Sequence, residues 1–447
     1  MGQRQEVSEL TDGQPLSRLQ LSAMFIYVLV GVADGFDLQA IGFLAPAIAE
    51  TLHSDVRTLG PVFAASLAGL MVGTLAMSLA GDRWGRKRIL VVANLALGVF
   101  TLATTFVETL PQLTVIRFLT GFALGSTAPN LFAMITELAP KRLERTVACV
   151  LSAALPLGVV MAGAVGSLIL PLWGWKSVFW VGGVFPILLA AVIAFGLPES
   201  MMFLAARGGD QRQILRTVRR FWPSLTLSPS VSFVAALKTS RLPVSQLFLE
   251  GRVIVTAMLW LTFAMNLMII YFIVSWLPTI LRGTPLPPNA GIIAITSFGI
   301  AGVIGSIVQG PLITKFAAHR VMVLQFGMYV VLALLFPYLA QSVLLVAAFS
   351  FAIGLAIQGV QAGLNAFAAG FYPTPIRSTG VGWALGIGRF GSVVGPLVGG
   401  LGLAAGWLPA QIFMVSIGPA LLAMIAVTMI ARRQPLDGGS LQQFSTG

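Results

Sequence analysis

The sequence predicts an all-α integral membrane protein of twelve transmembrane helices arranged as two six-helix bundles. Three observations carry that expectation. The composition is oily, the oil falls into runs long enough to cross a bilayer, and one long polar stretch divides the runs into two sets. Of 447 residues, 57% are hydrophobic and only 9% charged, where a soluble domain carries about a quarter charged residues. The mean hydropathy of +0.91 agrees.

Each apolar run of roughly 20 residues reaches across a ~30 Å hydrocarbon core as a helix, the form that satisfies its own backbone donors and acceptors where water is absent. The runs fall at 20–48, 58–80, 89–107, 112–137, 146–170, 175–196, 253–281, 289–314, 321–340, 343–371, 377–402 and 408–431. They divide the chain into a polar N-terminal tail (1–19), a first bundle (20–197), a central loop (198–252), a second bundle (253–432) and a C-terminal tail (433–447). The first tail is mixed in charge and lacks the short apolar core of a cleavable signal, so residue 1 is expected to be the mature start. The central loop, with "RGGDQRQILRTVRRFWPSLTLSPS", is basic and turn-rich, and 210–221 has the pattern of a short amphipathic helix.

Charge sets the orientation. The net charge is +12, which invites a nucleic-acid reading, but position argues otherwise. On the side that bears the termini lie 22 Lys and Arg; three (Arg57, Lys176, Arg282) fall in loops on the other side and two (Arg117, Arg389) within spans. This is the positive-inside bias. It predicts cytoplasmic termini and an anionic lipid surface, not nucleic acid, as the neighbour of the basic segments. One cysteine (Cys149) and two histidines (His53, His319) leave no disulfide framework and no thiolate or imidazole metal cluster. No nucleophile elbow or phosphate loop appears. The sequence therefore predicts no enzyme, no cofactor and no metal.

The halves resemble one another. "NLFAMITELAPKR" (130–142) aligns with "NAFAAGFYPTPIR" (365–377), and "LAGDRWGRKRIL" (79–90) has a worn counterpart in "LITKFAAHRVMV" (312–323). Faint internal symmetry of this kind belongs to transporters built from repeated bundles with a site near the midplane.

Ionisable groups inside spans are costly and functional by default. Asp34 and Asp37, in "GVADGFDLQAIGFLAPAI", share one helix face at i, i+3. Two acids so close repel one another, and one of them is suited to take up and release a proton. Arg117 and Arg389 stay charged and each needs a carboxylate, either from the protein or from an anionic ligand. Arg389 lies among Gly386, Gly388 and Gly391 and is assigned to a substrate carboxylate, which a guanidinium can hold through two parallel bonds. Arg117 is assigned to substrate or to a pair with Asp34 or Asp37. Gln358, Gln361 and Asn365 form a polar stripe on the tenth span and Asn266 sits mid-way along the seventh. They suit a phenolic hydroxyl or serve as interhelical glue. Tyr271 and Trp383, with Phe263, Phe272 and Trp276, are candidates to stack an aromatic ring. Glu137 closes the fourth span as gate or cap.

"GDRWGRKR" (81–88) joins the second and third spans through a tight turn that Gly81 and Gly85 permit, with Asp82 placed to pair with Arg83 or Arg86. This octapeptide resembles the signature loop of the major facilitator superfamily. "DGFDLQAIGFLAPAI", "LPESMMFL" and "FYPTPIRSTGVGWALGIGRFGSVVGP" further resemble its aromatic acid:proton symporters, the family of 4-hydroxybenzoate, protocatechuate, benzoate and hydroxyphenylpropionate carriers. The resemblance implies uptake of an aromatic carboxylate with protons by alternating access, in a bacterial inner membrane, by a monomer. It implies Asp34 and Asp37 as proton-coupling acids and Asp82, Arg83, Gly85, Arg86, Glu137 and Arg377 as gating residues. The second loop copy departs from the pattern: it has no acid or glycine and offers Lys315, His319 and Arg320.

Overall fold

The computed structural model describes residues 4–6, 16–206, 211–222, 232–234, 244–249, 251–339, 341–372 and 376–433. Five long helices form the first half: α1 (Arg18–Thr51), α2 (Gly60–Trp84), α3 (Arg86–Ala103), α4 (Leu110–Leu138) and α5 (Lys141–Gly196). At 56 residues α5 is twice the length of a span, and it breaks at Gly174 (φ 73°, ψ 178°). Only glycine takes that backbone without strain, so the chain reverses there and α5 makes two crossings. The short helices α6 (Met201–Ala206) and α7 (Gln211–Phe221) occupy the central segment. The second half comprises α8 (Val253–Arg282), α9 (Ala290–Phe316), α10 (Ala318–Leu339), α11 (Val343–Phe371), α12 (Arg377–Ala404), and a last crossing shared by α13 (Pro409–Val415) and α14 (Ile417–Arg433). Among the described residues this makes twelve crossings in two sets of six, as the hydrophobic runs predict. One small element lies outside that expectation: strands β1 (Arg4–Glu6) and β2 (Ser232–Val234) pair in parallel.

Helix ends are fixed by local chemistry. Ser17 caps α1, accepting a bond from the Gln20 amide while the Gln20 side chain accepts from the Ser17 amide. The amphipathic pattern at 210–221 is met by α7, which buries Ile214, Val218 and Phe221, with Trp222 beyond it, and exposes Arg216, Arg219 and Arg220. With an even number of crossings, residue 16, the central segment and residue 433 share one face of the protein, called here the terminal face. The turns before α2 and at Gly174 lie on the far face.

Within each bundle, small residues let backbones touch, the packing that works without a hydrophobic driving force. Gly35 of α1 and Gly158 of α5 face each other's helices; a Cβ on either would come within 2.0 and 2.2 Å of the Leu155 and Val32 carbonyls. The two bundles meet where α1 faces α8, α2 faces α12 and α5 faces α9. Gly60 lies against Gly400, Phe63 stacks edge-on to Trp276 at 5.0 Å, and Gly42 abuts the Val274 carbonyl. Gln39 Nε2 donates to that same carbonyl at 3.3 Å. Gly163 faces Thr296. All of these contacts lie in the halves of their helices nearest the far face, so the bundles are closed together there.

Candidate functional site

The acids of α1 do not share one environment. Asp37 is fully buried and faces Arg117 of α4, also fully buried. Arg117 Nη2 donates to Asp37 Oδ2 at 2.6 Å and Nη1 to Oδ1 at 3.2 Å, and Nη2 also reaches the Asp37 carbonyl at 3.4 Å. Thr101 of α3 donates to Oδ1 at 2.8 Å. The Phe179 ring, on α5 after its break, lies 5.8 Å from the guanidinium carbon, within range of a cation–π attraction. Four crossings thus converge on one carboxylate. Asp34 lies one turn nearer the terminal face and is 7% exposed. Among the described residues it makes no ion pair, and its Oδ1 is buried without a hydrogen-bond partner.

Of the alternatives the sequence leaves open for Arg117, the structure gives the pair with Asp37. Both terminal nitrogens of Arg117 are engaged by Asp37, while its buried Nε makes no hydrogen bond. Arg389 is different. Its Nη1 donates to the Tyr271 hydroxyl at 3.0 Å, and among the described residues it has no acidic partner. Tyr271 packs on the bundle seam with Leu67 and Leu267, beside Leu38, the residue next to Asp37. Arg389 thus reaches the seam through Tyr271, while Asp37, the neighbour of Leu38 in sequence, turns into the N-terminal bundle.

The polar stripe closes on itself. Asn266 Nδ2 donates to Gln361 Oε1 at 2.9 Å, Gln361 Nε2 reaches Asn365 Oδ1 at 3.4 Å, and Gln358 Nε2 donates to the Phe298 carbonyl at 3.2 Å. Trp383 is not brought to Arg389. It is half exposed and stacks on Trp260 at 5.9 Å with an interplanar angle of 20°. It lies six positions before Arg389, which on a helix turns it to another face.

On the terminal face, Gly85 takes φ 105° between α2 and α3. Arg86 forms a salt bridge with Glu137 at the end of α4, and the Ser200 hydroxyl donates to the same carboxylate. Glu199 accepts from the Lys87 and Ser200 amides at 2.9 and 3.0 Å. Arg86 thus reaches Glu137 across the bundle, and the expected Asp82–Arg86 pairing falls on a side chain outside the described residues. The side chains of Asp82, Arg83 and Arg377 lie outside the described residues. The second loop copy makes the same kind of break without a glycine: Ala317 sits at φ 66°, ψ 132° between α9 and α10.

Sequence reasoning missed Thr101, Phe179, Gln39, Glu199 and Ser200. Gln39 is a polar residue in the same oily stretch as the acids and answers to the same rule. Thr101 and Phe179 carry no signal of spacing, because only the tertiary fold brings them to Asp37.

The geometry of twelve crossings, a seam between two bundles with Arg389 bonded to Tyr271 beside it, and a buried ion pair within the first bundle agrees with the comparisons. The profile described as Major Facilitator Superfamily matches residues 27–287 and 259–445. The chain belongs to the major facilitator superfamily. Among curated major facilitators, the 4-hydroxybenzoate transporter PcaK of Pseudomonas aeruginosa is 36% identical over 449 residues, 98% of each chain. The gallate transporter of Pseudomonas putida is 33% identical over 94% of each chain. The 3-(3-hydroxy-phenyl)propionate transporter of Escherichia coli is 32% identical over 96% of this chain and 98% of its own. Among solved structures, the partially occluded inward-open conformation of the E. coli xylose transporter XylE superposes with a TM-score of 0.71 at 14% identity, covering 92% of this chain and 98% of that one. This major facilitator is a multi-pass membrane transporter and not an enzyme.

Proposed function

We propose that the protein takes up an aromatic carboxylate of the hydroxybenzoate class together with protons, by alternating access across a bacterial cytoplasmic membrane. The observation that carries the reading is Arg389: a cation on the bundle seam whose described partner is a phenol and not an acid. It is a guanidinium still in need of an anion, and a planar carboxylate fits it through two parallel bonds. The names of the relatives, transporters of 4-hydroxybenzoate, gallate and hydroxyphenylpropionate, supply the aromatic ring.

In this reading the terminal face is cytoplasmic, following the distribution of Lys and Arg. The contacts near the far face then form a closed outer gate, and the structure is inward-facing. A substrate anion entering against a negative-inside potential pays about 2.3 kcal/mol per charge per 100 mV. A co-transported proton cancels that cost, and the acids of α1 are the groups placed to carry it. Glu137, Arg86 and Gly85, with Asp82, Arg83 and Arg377, serve the gating movement on the cytoplasmic side, and the Arg86–Glu137 pair is held with that side open.

The test is uptake of labelled 4-hydroxybenzoate, gallate, benzoate and 3-hydroxyphenylpropionate into proteoliposomes, with and without a pH gradient. Saturable uptake of at least one acid, enhanced by an inward proton gradient and collapsed by a protonophore, is expected. Saturable uptake of none of them refutes the substrate class, and gradient-independent uptake refutes the coupling.

A further inference from the structure

We infer that the two aspartates of α1 divide the work: Asp34 carries one proton per substrate, while Asp37 stays ionised throughout, held by Arg117 and by Thr101 as a positioning residue. The inference rests on the proton-coupled reading above and fixes its stoichiometry.

Donors to the Asp37 carboxylate come from two other helices, α3 and α4. Both carboxylate oxygens are bonded to Arg117 at 3.2 and 2.6 Å, and Oδ1 also receives the Thr101 hydroxyl at 2.8 Å. A proton on this carboxyl would displace a donor and strand a fully buried guanidinium, the costly way to break a buried pair. Asp34 has no such set. It sits about 4.5 Å nearer the terminal face by helical rise, keeps a slight exposure that Asp37 lacks, and leaves Oδ1 without a partner. A buried carboxylate without a cation is expensive, and a proton removes the expense. Among the described residues, the charged and titratable groups on the elements packed against it include these, with Glu137 at the end of α4 taken up by Arg86. Asp37 is on its own helix, with Tyr27 two turns away. Arg117 comes from α4, turned to Asp37. From 150 to 196, α5 contributes only Lys176, which lies by Trp175 near the far face. From α8 comes Tyr271, with Arg282 at the far end, and from α7 come Arg216, Arg219 and Arg220 at the terminal face.

Charge bookkeeping then sets the number of protons. The Asp37–Arg117 pair is neutral. A protonated Asp34 is neutral. A substrate carboxylate on Arg389 is neutral. The loaded carrier therefore moves with every buried charge matched, carrying one anion and one proton. The cycle forms one O–H bond at Asp34 when the proton is taken from water on one side, and breaks it to water on the other; no other covalent bond changes. Net charge movement is zero.

The experiment uses the full-length protein in proteoliposomes with labelled 4-hydroxybenzoate as the probe, driven by a pH gradient alone or by a potassium diffusion potential alone. A gradient of one pH unit is expected to drive about tenfold accumulation, and a 100 mV potential less than twofold. A two-proton carrier would gain about fifty-fold from the same potential, and that result overturns the inference. A second arm measures the pH dependence of 4-hydroxybenzoate binding to purified protein. Asp34→Asn is expected to flatten the proton-linked slope. Asp37→Asn weakens binding at every pH and keeps the slope. Thr101→Val, by loosening the hold on Asp37, introduces a second proton-linked step that a purely packing role would not produce. A slope retained in Asp34→Asn, or abolished by Asp37→Asn alone, overturns the assignment. If Asp34→Asn fails to fold, the Thr101→Val profile and the wild-type potential arm still decide it. A wild-type carrier that accumulates under neither force brings down the proton-coupled reading itself, a different failure from one proton too many.

Discussion

Arg117 and Asp37 form a two-point ion pair in the middle of the N-terminal bundle, with neither side chain reaching solvent. Such a pair contributes little by comparison with well-packed apolar residues, but removing one partner leaves a buried charge uncompensated.

It follows that Asp37→Asn or Arg117→Gln alone should destabilise the protein by about 3–5 kcal/mol, seen as a large loss of thermal stability in detergent. The double replacement should recover most of that loss, because no lone charge remains, and should still fail to transport. A single variant with unchanged thermal stability would contradict the pairing.

The Arg389–Tyr271 contact makes a graded prediction. Replacing Arg389 by Gln removes a charge-assisted bond worth about 1.5–3 kcal/mol, so the KM for an aromatic carboxylate should rise by roughly ten- to a hundred-fold. Arg389→Lys keeps the charge but loses the planar fork and should fall between. Tyr271→Phe removes a single neutral hydroxyl and should cost only a few-fold. Initial-rate uptake in cells or liposomes measures all three.

The far-face seam can be forced. A Cβ at Gly400 meets the Gly60 Cα at 3.0 Å and the Trp276 ring at 3.3 Å, so Gly400→Leu cannot be accommodated while the bundles are closed. The population should move toward the outward-open state. In a Cys149→Ser background, Ser275→Cys, buried beside Gly42 at the seam, should then react with a membrane-impermeant maleimide several times faster. Unchanged labelling would show that the seam is not the outer gate.

The two loop copies make opposite predictions about glycine. Ala317 holds a positive φ, which costs an L-residue about 1–2 kcal/mol. Ala317→Gly should therefore raise the melting temperature slightly, by about 2 °C. Gly85→Ala should lower it: its φ is 105°, and a Cβ there would sit 2.6 Å from Glu199 Oε2.

These contrasts also mark what was legible in the sequence. Twelve crossings could be read because each rests on a local property, an apolar run of sufficient length; even the break inside α5 fell between two runs, at Gly174. The acids, Arg117 and Arg389 could be read because charge in oil is rare. Their partners could not. The sequence allowed Arg117 either a substrate or an aspartate, and only the approach of α4 to α1 chooses. The stack of Trp383 on Trp260 could not be read, because composition says nothing of which way a helix face turns. The Arg86–Glu137 pair could not be read either, because its partners lie 51 positions apart.

Helix α1 carries Asp34, Asp37, Gln39 and Gly42 within three turns. Fuel chemistry and the closure of the outer door therefore act on one stiff rod, with no flexible joint between them. A proton arriving at one end of that stretch is felt as a tilt or twist at the other. A slack carrier that leaks protons without cargo should accordingly arise most readily from substitutions that soften this rod.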